Sequence, residues 1–253
     1  AFLDSKLNIS VLDHPLLLRL YMEQAQSRLP GQAALLKTRD TAEFDLLYIY
    51  NYSPWAGPYV RGQVITNAFP GRQFFAPAAD YIVHDNVLNQ DVEIRSQQDS
   101  IQLSPSLGTW NMKEGAGFNL RLFKTIFGET TLRTGVGGRQ TLIRGRVLQD
   151  VSEANRPYHR YDILHSAAQF GIEGTLIAVG RITRWVVINV LIDTLVPFTG
   201  IDNTDLDVES TVALKLTQFA SVNWALRYQV NPLVLNKPIF ETDVFLRYSV
   251  EFL

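Results

Sequence analysis

LKLTQFASVNWALRYQV, residues 214–230, alternates apolar and polar side chains, breaks step at Gln218-Phe219-Ala220, and alternates again. One face carries Leu214, Leu216, Val222, Trp224, Leu226, Tyr228 and Val230. The other carries Lys215, Thr217, Asn223, Ala225, Arg227 and Gln229. Successive side chains of a strand point to opposite faces, so this is a hairpin with one apolar and one charged surface. Two architectures use such a hairpin. A soluble β protein packs the apolar face into a core and shows the charges to water. A transmembrane barrel shows the apolar face to lipid and turns the charges into its lumen.

The pattern extends in both directions. DVFLRYSVEFL (residues 243–253) sets Val244, Leu246, Tyr248, Val250 and Phe252 against Arg247, Ser249 and Glu251. NPLVLNKPIFET, before it, reads as a loop. Upstream, Val208 and Val212 alternate with Asp207, Glu209 and Thr211, and Ile188, Val190 and Ile192 alternate with Asn189 and Asp193. LFKTIFGETTLR (122–133), LIAVGRITRWVVI (176–188) and LKLTQFASVNWAL (214–226) turn tightly, while the links between them are long and rich in Asp, Asn, Pro and Gly. Short turns at one end and long loops at the other is the plan of an outer-membrane barrel. In the first half, strands are expected at 16–27, 39–53, 58–69, 74–86 and 91–104, the last two polar enough to be loop. The tally is about twelve antiparallel strands, with about ten as the alternative, and both termini at the short-turn end. Residues 1–14 are set apart as a lead segment or one more strand; residues 15–253 form a single barrel domain.

Composition narrows the field. With 23 Lys and Arg against 25 Asp and Glu, net −2, no basic excess points to nucleic acid. There is no cysteine, hence no disulfide framework or thiolate metal site. No apolar run reaches the ~20 residues of a membrane-crossing helix. The opening AFLDSKLN lacks a basic stretch followed by an apolar core, so no signal peptide is expected within this numbering.

The apolar faces are long at strand after strand, and Tyr48, Tyr50, Tyr52, Trp185, Trp224, Tyr228 and Tyr248 stand where aromatic girdles would. Charges of both signs sit mid-strand on the other face. The expectation is therefore a closed, all-β transmembrane barrel in the bacterial outer membrane, surrounded by membrane lipids, with short periplasmic turns and longer extracellular loops. Its lumen would be lined by Arg121, Arg133, Arg139, Glu173, Asp193, Asp207, Glu209, Lys215, Arg227 and Arg247.

Two stretches resemble known proteins. VFLRYSVEFL (244–253) resembles the C-terminal assembly signal of bacterial outer-membrane proteins, which ends on an aromatic; here Phe252 is followed by Leu253. LRLFKTIFGETTLRTGVGGR (120–139) and ALKLTQFASVNWALRYQV (213–230) are similar to the salt-induced outer-membrane family of unknown function. That resemblance covers the C-terminal half of the chain. It implies an envelope location and carries no catalytic residues.

Catalytic and metal patterns are sparse. The histidines are His14, His84, His159 and His165, without metalloprotease spacing. His159 and His165, in HRYDILHS, are read as a loop and a lumen histidine rather than a metal or catalytic pair. His165 and Ser166 would point to opposite faces of a strand, which disfavours Ser–His hydrolysis. GVGGRQ (135–140) has neither the spacing nor the following helix of a phosphate loop. Its small residues would instead permit curvature or close packing against a lumen side chain. Asp207 and Glu209 share a face as glycosidase carboxylates do, but Lys215, Arg227 and Arg247 favour a charge network. NIS at Asn8 and NYS at Asn51 are chance-level glycosylation triplets. No enzyme and no cofactor are expected. The leading function is a narrow pore for small polar or charged solutes. The second is a plugged structural barrel that docks protein partners through loops 148–160, 197–205 and 231–242, which hold Tyr158, Phe198, Leu233, Val234, Leu235 and Ile239. The third, an outer-membrane enzyme acting on lipid, has only chain size in its favour.

Overall fold

The structure, a computed structural model, describes residues 2–11, 14–27, 36–85, 87–149, 158–217, 220–232 and 235–248. These are almost all strand: β1 (Phe2–Val11), β2 (His14–Ser27), β3 (Leu36–Ile49), β4 (Ala56–Thr66), β5 (Gly71–Asp85), β6 (Gln90–Ser104), β7 (Thr109–Thr125), β8 (Gly128–Ile143), β9 (Val147–Gln149), β10 (His159–Ile163), β11 (Ala167–Arg181), β12 (Val186–Pro197), β13 (Asp205–Lys215), β14 (Ala220–Asn231) and β15 (Leu235–Tyr248). A 3-10 turn at Ile201–Asn203 is the sole helical element among the described residues. Eleven strands form one antiparallel sheet in the order β1-β2-β3-β4-β7-β8-β11-β12-β13-β14-β15. The remaining four form a second sheet, β6-β5-β10-β9.

The large sheet is strongly curved. Arg61 on β4 reaches Asp193 on β12, with 3.0 Å between Nη2 and Oδ1, although β7, β8 and β11 lie between them. Four strand spacings of ~4.8 Å would separate these backbones by roughly 19 Å on a flat sheet, beyond what the two side chains span. The alternation then decides the faces. Inside the curve lie Arg61, Lys113, Arg139, Glu173, Asp193 and Asp207. The convex face carries the apolar set. Val60, Ala116, Val136 and Ile172 follow one another across four neighbouring strands, and Val136 and Ile172 are 59% and 55% exposed. The greasy face of the 214–230 hairpin, with Trp224 and Tyr228 exposed, belongs to this outer surface.

Exposed aromatic residues concentrate near the two ends of the sheet. Tyr50, Tyr52, Trp55, Phe127 and Trp185 stand at the short-turn end, and Trp110, Phe170, Phe198 and Phe240 at the other. The turns between β3 and β4, β7 and β8, β11 and β12, and β13 and β14 all fall at the first end. Both longest connections, 67–108 and 144–166, leave from the second, and there they build the small sheet together. β10 pairs in parallel with β5, joining two distant segments of chain. Tyr81, Val83, Ile101 and Tyr161 form its core, with Phe75, Leu103, Val147 and Ile163 packed around them. This sheet thus has an apolar interior of its own.

Several expectations change. Residues 74–85 and 91–104 are strand, but of the second sheet. Residues 2–11, set apart with the lead segment, pair with β2 along their whole length as β1. The main sheet therefore has eleven described strands rather than about twelve. With alternating direction, β1 and β15 run the same way: β1 starts at the long-connection end and β15 finishes at the short-turn end. Most of the expected loop 231–242 is the first part of β15, because Ile239, Phe240, Glu241 and Thr242 continue the alternating ladder with β14 despite Pro238. Leu233 and Val234, most of 148–160, and the terminal Val250, Phe252 and Leu253 lie outside the described residues.

Candidate functional site

The concave face encloses a cavity of about 1010 Å³, and every one of the eleven strands contributes to its lining, from Leu7 on β1 to Ile239 on β15. Its centre is an ion-pair network. Glu173 on β11 is 2% exposed and accepts hydrogen bonds from the Tyr59 hydroxyl and from Arg61, at 2.7 Å from Nη2 and 3.1 Å from Nε. Arg61 also donates to Thr175 Oγ1 at 3.1 Å. Asp193 collects three cations: Arg61 at 3.0 Å, Lys113 at 3.2 Å and Arg139 at 2.9 Å; Thr175 adds a hydroxyl at 2.8 Å. Arg139 continues to Asp205 at 2.7 Å, and Lys113 stands 4.0 Å from Asp207. Asp207 takes a two-point contact from Arg227, at 2.7 and 3.2 Å. Arg227 also lies 3.5 Å from Glu209. A buried carboxylate is tolerable only when its charge and lone pairs are met in this way.

Glycines make room for the network. On one row across the sheet, Tyr59 is followed by Gly117, Gly135 and Glu173 on successive strands. The tyrosine ring can lie along the wall over two residues without side chains, an aromatic–glycine pairing known to support glycine-bearing strands. A Cβ on Gly115 would overlap the Glu173 carboxylate, and one on Gly137 would press on it at 2.5 Å. GVGG therefore does what its small residues suggested: it lets a charged side chain pack against the backbone. Gly137→Ala is expected to destabilise the folded protein by about 1–3 kcal/mol through overpacking. Gly180→Ala, with open space at its Cβ position, is the control and should change little. Urea unfolding midpoints of the two variants check this.

A second cluster lies on the β2–β3 wall. Arg19 stands 3.7 Å from Glu43 and 3.8 Å from Asp45, and Gln63 donates to Glu43 at 2.9 Å. With Glu23 also lining the cavity, this wall is acid-rich.

Among the residues expected in the lumen, Arg133, Arg139, Asp193, Asp207, Glu209 and Arg227 line the cavity, and Glu173 sits in its wall. Arg121 does not line it. Its side chain is tied at the short-turn end to Glu129 at 2.9 Å and to the Pro54 carbonyl at 3.0 Å. Lys215 is exposed at the end of β13, also outside the lining. The Arg247 side chain is outside the described part of the structure. Tyr59, Arg61, Lys113 and Asp205 complete the network and were absent from the expected set. Lys113 was legible by extending the Gly117–Gly115 alternation back two residues; Asp205 had been assigned to a loop.

The histidines do not converge. His159 stacks on Phe75 with centroids 5.2 Å apart, and His84 meets Asp91 at 2.8 Å. His165 lies in the link between β10 and β11 rather than in a strand, and its Nε2 meets Asp85 at 3.0 Å. The Leu88 and Val87 amides and His165 hold the Asp85 carboxyl below the usual carboxylate range. Ser166 bonds with the Ile143 backbone. No group of three metal-ligating side chains occurs among the described residues. Compared with known proteins, the chain matches no family model, and no curated protein matches it significantly.

Proposed function

We propose that this chain is an outer-membrane β-barrel whose lumen is a narrow, charge-lined pore for small polar or charged solutes. One observation carries the reading: eleven strands curl around a cavity centred on an ion-pair network, while the convex face presents a broad belt of exposed apolar residues. A soluble protein buries its apolar face; an exposed apolar belt of this extent needs an apolar surrounding. The eleven strands are 10 to 17 residues long, enough for the ~9–11 residues of a tilted crossing. Aromatic bands near both ends agree with residence at two membrane–water interfaces. Hydrocarbon offers no partners to the free edges of β1 and β15, so the reading requires the sheet to close. Because the two edges run in the same direction, their direct joining makes a parallel seam. The long connections and the small sheet would then form the extracellular mouth, as the resemblance to envelope proteins also suggests.

The Arg61–Asp193 bridge favours a second reading, a lumen plugged by its own ion pairs, with the small sheet and Phe198 offered to protein partners. Conductance distinguishes the two. Detergent-folded protein in a planar bilayer is expected to give discrete, salt-dependent current steps. A silent bilayer, with the folded barrel verified by heat-modifiable gel mobility, would reject the pore and favour the plug.

A further inference from the structure

Among the described residues seven cations line the cavity, and five of them meet a carboxylate within 4.0 Å. The other two, Arg133 and Arg146, meet none among the described residues. Arg133 projects from the middle of β8. Its Nε donates to Asn119 Oδ1 at 3.2 Å, and its two terminal nitrogens have no protein partner among the described residues. Arg146 lies beyond the end of β8, after the turn at Gly145, where φ is +55°. Among the described residues its side chain makes one hydrogen bond, a long one to Thr109 Oγ1 at 3.4 Å. Burial holds the Arg146 guanidinium below its usual pKa, and no carboxylate offsets that burial.

A half-buried guanidinium without an anion is costly, and its planar fork matches two oxygens of a carboxylate or phosphate. The nearby carboxylates are already engaged: Asp193, Asp205 and Asp207 each hold at least one cation. The acid-rich wall of β2 and β3 would drive a negative head group toward β8. We propose that the cavity binds small oxyanions, received at Arg146 near the long-connection end and held deeper by the Arg133 fork. Passage of such an anion rests on the pore reading; its binding does not.

The test uses detergent-folded protein and inorganic phosphate, with sodium chloride at matched ionic strength as reference. Phosphate binding to the folded state raises the thermal unfolding midpoint in a saturable way. In R133Q/R146Q the half-saturation should weaken about tenfold or more, since the charge-assisted contacts are gone. R146Q alone, altered only in a link, gives a smaller weakening and guards against a misfolded double variant. No phosphate-specific rise in the unmodified protein, or an equal rise in the variants, overturns the proposal. Reversal potentials across a salt gradient then separate the two readings. Anion preference reduced in R146Q supports both. A silent bilayer with the phosphate effect intact defeats the pore and leaves the binding site standing.

Discussion

Arginine in place of Val136 should lower the stability of the bilayer-inserted protein by about 2–4 kcal/mol, the cost of that side chain at mid-membrane on a lipid-facing strand. Val136 is 59% exposed at the middle of β8, between Ala116 and Ile172 on the neighbouring strands. In water such an exposed substitution would change stability by within about 0.5 kcal/mol. The difference between the two figures is the difference between the two readings of an apolar face. Urea titrations in lipid vesicles measure it. Arginine at Asn189, an exposed position on the concave face of β12, serves as the matched control and should cost far less.

The second large effect is expected at Asp193. Removing its carboxylate in Asp193→Ala leaves Arg61, Lys113 and Arg139 converging with one counter-charge fewer. Breaking a buried ion cluster from one side costs about 3–5 kcal/mol, because the remaining charges stay desolvated. Arg61 retains Glu173 and Arg139 retains Asp205, so the loss should fall at the lower end of that range. The same substitution cuts the link between β4 and β12 that crosses the curve of the sheet. If the network constricts the lumen, single-channel conductance should rise in this variant while the unfolding midpoint falls. A mutation that merely loosened the wall would lower the midpoint without enlarging the current step.

The faces of the sheet were legible because each long strand separates two environments, and period-two alternation records that directly. The 214–230 hairpin, β8 and β12 could be read this way, and the glycines of GVGG could be assigned to close packing. The small sheet could not. β5 and β6 carry short apolar stretches broken by polar residues, with Phe75, Tyr81, Val83, Ile101 and Leu103 on the face they bury, so their alternation does not distinguish them from strands of the main sheet, and their partner β10 comes from a different connection far along the chain. β1 does alternate, with Leu3, Leu7 and Ile9 against Asp4, Lys6 and Asn8 in sequence, which left it open as one more strand or a lead segment. Within the network, residue types were legible and partners were not. Which charges meet depends on register and on curvature over four strands, so Tyr59 and Arg61 could not be matched to Glu173 by local pattern.

The most direct test of the account uses the absence of native cysteine. Single cysteines at Val136, Ile172 and Val190 on the convex face, and at Asn189 and Thr211 on the concave face, can be placed in protein reconstituted into vesicles. Labelling with a membrane-impermeant maleimide should spare the three convex positions and modify Asn189 and Thr211. A fluorophore attached in detergent at the convex sites should be quenched by brominated lipid after reconstitution. Equal labelling of both faces, or a chain that stays soluble and monomeric in plain buffer, would contradict the lipid-facing barrel.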